Sequence, residues 1–174
     1  WHARVVAGGR MTVTINFNSS SAARAGTLVT MRQLTASPVD SNPPVVADDT
    51  SPYSGPSTGN LSQAGEVVLG YFALNGPTSQ NGNALINDSI NPVPPDLRAV
   101  SSGYTPGGVG ITGTSGGIET SNVSVAVTYR YVSATAGVQP QIANSTAHRS
   151  GLAGTISFRS NGANPDLQVT DFIQ

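Results

Sequence analysis

Alternation of apolar and polar side chains is the clearest feature of residues 121–133. Successive side chains of a strand point to opposite faces of the sheet, so every second residue lies on one face. One face would carry Val123, Val125, Val127, Tyr129 and Tyr131. The other face would carry the small or polar residues Ser124, Ala126, Thr128 and Arg130. A period of two over this length predicts a half-buried β-strand, because a helix would scatter the valines around its circumference.

Several other segments repeat this alternation. Further strands are predicted at 11–18, 27–34, 152–160 and 167–173, with shorter ones at 83–90 and 139–143. In the first of them the inward face would carry Met11, Val13, Ile15 and Phe17. In the segment 152–160 we expect Leu152, Ile156 and Phe158 to face inward. No stretch of the chain has the apolar spacing of an amphipathic helix.

Residues 66–74 differ from these segments because they are apolar on both faces. A continuous apolar run that is bounded by turn-forming residues is typical of a central strand covered on both sides. We therefore expect this strand to lie in the middle of the fold.

Three long segments separate the predicted strands: the proline-rich 38–60, then 75–96, and the glycine-rich 105–120. Within the last of these, residues 105–117 are predicted as a flexible loop that leaves room for short extended pieces. Proline cannot donate a hydrogen bond to a β-ladder, which predicts a loop or an edge at 38–60. Seven to eight strands separated by turn clusters predict an all-β fold, an antiparallel two-sheet β-sandwich with Greek-key or jelly-roll wiring. No break in composition divides residues 1–174, so we expect a single domain.

Charge is scarce in this chain. Charged residues make up 10% of the sequence, all eight basic residues are arginine, and the formal net charge is −1. Nucleic-acid binding is not expected, because that function requires a basic surface. No apolar run approaches the length of about 20 residues that spans a bilayer, so no membrane insertion is expected. The exterior is predicted to consist mainly of Ser, Thr, Asn and Gly, which suits a protein that packs into an assembly or works outside the cell. The competing interpretation, equally favoured, is a solvated, loop-rich β-protein of biased composition.

Two short motifs match catalytic or nucleotide-binding patterns by letters alone. Gly108–Gly113 matches the dinucleotide fingerprint, which works only where a parallel strand opens into a helix. Gly113–Gly117 matches the nucleophile elbow around Ser115, with Glu119 and His148 following in the order of a triad. A glycine-rich loop provides no preorganised oxyanion hole. We therefore predict a protein that is not an enzyme and has no catalytic residues.

Metal and cofactor sites are also not expected. Cysteine is absent and the two histidines are far apart in the sequence, which disfavours a zinc site. Asp48 and Asp49, with Asp40, offer clustered oxygens of the kind that calcium prefers. Adjacent aspartates in a loop are more often simply solvated, and we favour that interpretation.

Three aromatic residues are candidates for contact with a ligand or a partner. Tyr53 and Tyr104 lie beside Gly and Pro in predicted loops, where a ring can stack on a sugar or on a neighbouring subunit. Trp1 stands at the start of the chain in place of Met, from which we expect a processed product or part of a longer protein. For each aromatic, local packing is the competing interpretation and the one we favour.

Three segments carry a resemblance to a known family. They are Ser62–Ala73 (SQAGEVVLGYFA), Val100–Thr105 (VSSGYT) and Val125–Gly137 (VAVTYRYVSATAG). Together they resemble β-sandwich domains that occur in tailed-phage virion proteins and in some bacterial surface proteins. Glu66 stands where that family has Asp, and Tyr104 where it has Trp. The shared motifs mark strand starts and a turn, so the resemblance implies no catalytic residues.

The resemblance and the composition together predict a structural protein of a virion. We expect a capsid decoration or fibre component on the outer surface of a tailed phage, in contact with copies of itself and other virion proteins. A homo-oligomer is expected, with a trimer favoured. The alternative is a carbohydrate- or receptor-binding adhesin module of a fibre tip or bacterial surface. In that case Tyr53, Tyr104, Asp48 and Asp49 would contact a host-surface glycan.

Overall fold

The described part of the chain is entirely β in its regular structure. The computed structural model describes residues 13–16, 25–50, 52–75, 98–99, 103–111, 123–143, 150–162 and 165–173. These residues form eleven strands. Within these ranges no helix is long and apolar enough to cross a membrane. The predicted all-β class is confirmed.

The strands vary widely in length. In chain order they are β1 (Ala25–Met31), β2 (Leu34–Val39), β3 (Val46–Asp48), β4 (Tyr53–Ser54), β5 (Glu66–Asn75), β6 (Arg98–Ala99), β7 (Thr105–Ile111), β8 (Val123–Val132), β9 (Gln141–Ala143), β10 (Gly151–Ser160) and β11 (Leu167–Ile173). Among the described residues they form three sheets, which differs from the predicted two sheets of seven to eight strands.

A six-stranded sheet, here called the central sheet, organises the molecule. Its strand order is β2-β10-β5-β8-β7, and β3 also pairs with β10. All its described pairings are antiparallel. β5 lies in the middle, and its neighbouring residues Val67 and Val68 are both fully buried although they point to opposite faces. The prediction of a strand that is covered on both sides is confirmed.

One face of the central sheet packs against β1 and β11. These two strands pair with each other in antiparallel fashion and form a separate two-stranded sheet. Val29 and Met31 of β1 and Leu167 of β11 pack against a buried cluster of central-sheet side chains. That cluster consists of Val67, Leu69, Val127 and Phe158.

The opposite face packs against β4 and β9 of the third sheet, whose strand order is β4-β9-β6. Tyr53 of β4 and Ile142 of β9 are both 1% exposed and lie in one apolar cluster with central-sheet residues. Their partners in that cluster are Phe72, Leu74, Ala126 and Ala153. The central sheet is therefore covered on both faces.

The structure corrects the prediction of which faces of β8 and β10 are buried. Both strands occur as predicted, but the face of β8 that was expected to be solvent-exposed is buried: Thr128 is enclosed by the third sheet. On β10 the predicted inward face is confirmed for Phe158, which is 5% exposed, and for Ile156, which packs against the same cluster, but Leu152 is 53% exposed. The opposite face of β10 carries Thr155 and Ser157, which are also buried. The small side chains of Thr128, Thr155 and Ser157 lie on the face toward the third sheet, where they let the covering segments approach closely.

The remaining strand predictions have mixed outcomes. The predicted strand 27–34 is two strands in different sheets, because the chain breaks at Gln33, whose φ is 61°. In the predicted strand 11–18 only 13–16 is described, and it is not a strand; Val13 and Ile15 are exposed. An alternating pattern builds a strand only where a partner strand meets it, and the described residues provide none there.

Some segments that were predicted as loops contain strands, and one predicted strand lies outside the described residues. β3 and β4 lie inside the predicted loop 38–60, and β7 occupies the start of the glycine-rich segment 105–120. The predicted strand 83–90 lies outside the described residues. The short strand predicted at 139–143 is present as β9, and the strand predicted at 167–173 is present as β11.

Candidate interaction surface

Tyr53, a candidate ligand contact, lies in the core. Its ring belongs to the apolar cluster between β4 and the central sheet. A ring in this position has no surface to offer a sugar, so the structure favours the local-packing interpretation for Tyr53.

Tyr104 is also buried. Its ring packs with Leu61, Val68 and Val132, and the guanidinium carbon of Arg130 lies 5.9 Å from the ring centroid. Burial raises the pKa of Tyr104 to about 12, against the opposing effect of the Arg130 charge. The Tyr104 hydroxyl has no hydrogen-bond partner among the described residues. Packing, not ligand contact, accounts for this ring as well.

Asp48 organises its own loop. Its Oδ2 accepts a hydrogen bond from the backbone N–H of Ser54 at 2.9 Å, and its Oδ1 accepts one from the N–H of Thr50 at 3.1 Å. The neighbouring Asp49 is exposed and accepts a hydrogen bond from the Thr50 hydroxyl at 3.1 Å. Within the described ranges no three acidic, histidine or cysteine side chains gather into a potential metal site. Trp1 lies outside the described residues.

The motifs noted in the sequence gain no support from the described residues. The glycines of the fingerprint at Gly108 and Gly110 lie within strand β7, which pairs with β8, and not at a turn that leads into a helix. Ser115, Glu119 and His148 all lie outside the described residues.

An exposed apolar row crosses the central sheet at one end, and sequence reasoning missed it. Leu152 lies directly opposite Ala47 on one side and Ala73 on the other, and Ala73 lies opposite Val125. Directly opposed residues of antiparallel strands point to the same face, so these four side chains form one continuous line. We call them the apolar row. Ala47, Leu152 and Ala73 are exposed and Val125 is half-buried.

The side chains of the row lie outside the cluster that the two-stranded sheet covers. Val29, Met31 and Leu167 of β1 and β11 pack against Val67, Leu69, Val127 and Phe158, and none of the four residues of the row belongs to that cluster. The two covering strands have seven residues each, whereas β5, β8 and β10 have ten.

Tyr71 marks the boundary between the covered core and the apolar row. It lies one step from Ala73 on the same face of β5, directly opposite Gly154. A Cβ atom at Gly154 would lie 2.1 Å from the Tyr71 ring carbon Cζ, so the ring lies flat against the glycine backbone. Burial raises the pKa of the Tyr71 hydroxyl. The ring closes the end of the buried cluster and leaves Leu152 outside it.

The apolar row runs toward β7, the strand at one end of the described strand order of the central sheet. Val125 lies opposite Gly110 of β7, which is the last strand on that side in the part of the chain that the structure describes. β7 contains Pro106, and its register with β8 shifts between Pro106 and Val109. Proline and irregular pairing are common in edge strands, where they limit uncontrolled strand addition. The row itself is uncharged, which favours contact with another apolar surface.

Comparison with known proteins yields no match: no protein-family model, no curated protein and no solved structure matches this chain.

Proposed function

We propose that this protein is a non-enzymatic structural component of a virion, a capsid decoration or fibre protein on the outer surface of a tailed phage. The observation that carries the proposal is the apolar row, where Leu152 is 53% exposed in a line of uncharged side chains. Soluble proteins expose single apolar residues routinely, but a contiguous apolar strip favours a protein–protein interface. The low charge of the chain agrees with close packing of identical copies.

We further propose that the fold is a variant of the β-sandwich. The packing of β1 and β11 over one face of the central sheet supports this interpretation. The antiparallel pairing of all the strands agrees with Greek-key or jelly-roll wiring.

The partner proposed for the apolar row is a second copy of this chain, in a homo-oligomer that we take to be a trimer. Burying a leucine side chain contributes about 1.5–3 kcal/mol. Because every copy would contribute the same row, the gain is repeated at each interface.

Leu152→Asp is the variant that tests this proposal. An unpaired carboxylate in an apolar contact is strongly unfavourable, so we expect association to weaken at least about 100-fold, which corresponds to about 2.7 kcal/mol. Sedimentation equilibrium over a range of concentrations measures the change. Gln168→Asp is the matched control, since Gln168 is exposed on β11 and the substitution adds the same charge away from the row. A monomeric parent protein, or equal weakening by both variants, would contradict the proposal.

The location on a virion has its own test. Tailed-phage particles purified by density gradient from cultures of the source organism are expected to contain peptides of this chain at many copies per particle, as measured by quantitative mass spectrometry. Absence of these peptides from the particles, with the protein found free in the supernatant, would refute the virion assignment. It would leave the self-association through Leu152 to be judged by the sedimentation result alone.

A carbohydrate- or receptor-binding adhesin module takes second place among the proposals. Its candidate residues Tyr53 and Tyr104 are buried, and the Asp48 carboxylate accepts hydrogen bonds from its own loop. A glycan array probed with and without calcium decides between the two: specific binding to any glycan class would favour the adhesin.

A further inference from the structure

A buried carboxyl group without a hydrogen-bond donor lies at the start of β5. Glu66 is 0% exposed, and neither carboxylate oxygen has a hydrogen-bond partner among the described residues. Its direct neighbours across the central sheet are Arg159 of β10 and Val132 of β8. A fully ionised carboxylate in such a place is strongly unfavourable unless donors surround it.

Asp40 is the second carboxyl group of this cluster. It follows β2 directly, and its Oδ2 accepts a hydrogen bond from the Ser62 N–H at 2.8 Å. Its Oδ1 lies 3.9 Å from Nε of Arg159, whose Nη2 donates to the Val39 carbonyl at 2.8 Å. Burial opposes ionisation of Asp40, but hydrogen bonding by Ser62 and the positive charge of Arg159 act against burial, and the pKa of Asp40 is lowered. Asp40 is therefore the anionic member of the pair.

Glu66 has the opposite preference. Burial raises the pKa of Glu66, and the negative charge of Asp40 raises it further. The charged groups around it are Asp40 from the segment after β2, Arg159 from β10, and Arg130, which lies one step beyond Val132 on the same face of β8. Arg130 lies over the Tyr104 ring at the start of β7. The segment 58–65, which packs here, contributes no charged side chain.

The segment at Asp40 is also held by backbone hydrogen bonds. The Asp40 N–H donates to the Ser157 carbonyl at 3.1 Å, and the Ser157 N–H donates to the Ser41 carbonyl at 2.8 Å. The Ser41 hydroxyl donates to the Thr58 carbonyl at 2.7 Å. A displacement of Asp40 would therefore also disturb the bonds to β10 and to the segment around Thr58.

We propose that Glu66 and Asp40 share one proton, with the Glu66 carboxylic acid donating to the Asp40 carboxylate, and that this pair is a pH-sensitive latch. The latch fastens residues 39–41 and 58–62 over the ends of β5 and β10. It weakens when the solution becomes alkaline enough to remove the shared proton, because two adjacent carboxylates then repel each other in a buried place.

The sign of the pH dependence follows from linkage. A carboxyl group whose pKa is raised on folding binds more protons in the folded state, so its contribution is complete below its ordinary pKa of 4.5 and falls as pH rises through the folded value. Asp40 has a lowered pKa, so its contribution is present above its ordinary value of 3.8 and is lost as pH falls. The cluster is therefore most stabilising above the ordinary aspartate pKa of 3.8 and below the raised pKa of Glu66.

Carboxyl NMR on protein labelled with ¹³C-glutamate tests the shared proton directly. The sequence contains only two glutamates, Glu66 and Glu119, so two resonances are expected, and Glu119→Gln assigns them. We expect the Glu66 resonance to titrate above the ordinary pKa of glutamate, and to titrate at lower pH in Asp40→Asn. A Glu66 midpoint at or below the ordinary value, or one that Asp40→Asn leaves unchanged, would overturn the proposal.

Glu66→Gln tests the latch, because the amide imitates the protonated acid at every pH. The melting temperature of the parent protein is expected to fall as pH rises above the Glu66 midpoint, whereas that of Glu66→Gln stays level over the same interval. Glu119→Gln is the control and is expected to keep the parental slope. Equal slopes for Glu66→Gln and the parent would overturn the latch. If Glu66→Gln does not fold, the NMR titration of the parent protein decides.

Discussion

At the scale of single residues, small side chains and not the large apolar ones determine how the layers meet. Thr155 and Ser157 are completely buried on β10, and their hydroxyls bond to covering segments: Thr155 Oγ1 donates to the Pro56 carbonyl at 2.6 Å. Ser157 Oγ accepts a hydrogen bond from the Ser41 N–H at 3.0 Å. Buried hydroxyls are tolerated where such partners are available. Polar residues in the sequence of β10 therefore do not indicate a solvent-exposed face of that strand.

Gly70 is the position where this close approach is tightest, and it yields a prediction. A Cβ atom at Gly70 would lie 2.4 Å from Pro140 Cβ and 2.8 Å from Thr128 Oγ1. Overpacking of this kind typically costs about 1–3 kcal/mol, so we expect Gly70→Ala to lower the free energy of unfolding by that amount. Urea denaturation measures it.

A double-mutant cycle separates this contact from a general effect on strand β5. Pro140→Gly removes the nearest of the two obstructing side chains, so Gly70→Ala is expected to cost less in that background. An equal cost in both backgrounds would show that the Pro140 contact is not the cause.

At the scale of elements, a break of two residues separates strands that the sequence pattern joined. The Arg32 N–H donates to the Asp166 carbonyl, and the Asn161 N–H donates to the Gln33 carbonyl, both at 2.9 Å. These bonds hold the chain as it passes from β1 to β2, which belong to different sheets. Both sides of the break are β and partly apolar, so the local pattern contains no signal of it.

Unequal protection of the strands is the prediction at this scale. β5 pairs with β10 and β8 and is covered on both faces, whereas β1 and β11 pair only with each other among the described strands. We expect the amides of β5 to exchange with solvent at least about tenfold more slowly than those of β1 and β11, a difference of about 1.4 kcal/mol. Amide hydrogen exchange followed by NMR measures it. Equal exchange rates would mean that the two-stranded sheet and the central sheet open as one unit.

At the scale of the whole molecule, the absence of charge in the apolar row determines how the proposed assembly responds to salt. In about 1 M NaCl the Debye length is about 3 Å, which screens contacts between surface charges. An interface built on Leu152, Ala47 and Ala73 is expected to keep its association constant within about threefold between low and high NaCl. Sulfate is expected to strengthen it, because excluded salts favour apolar burial.

Sedimentation equilibrium in both salts, with Gln168→Asp measured in parallel, provides the comparison. Dissociation by NaCl would indicate that ion pairs hold the assembly, and the apolar row would then be the wrong surface. The single-domain organisation of residues 1–174 stays a prediction at this scale.

The sequence by itself determined the β class, the central position of β5 and the presence of β8, β10 and β11. These features depend on local periodicity: alternation requires only that neighbouring side chains point in opposite directions. A run that is apolar on both faces, as at Val67 and Val68, needs cover on both sides wherever the strand lies.

Only the tertiary structure decided which faces are covered and which residues meet. Leu152 is exposed because it lies outside the cluster that β1 and β11 cover, and Tyr53 is buried because β4 lies against the central sheet. Asp40 and Glu66 both lie beside β10 because β2 and β5 pair with that strand on its two sides. Each of these outcomes depends on elements distant in the chain, whose lengths and pairings no local pattern contains.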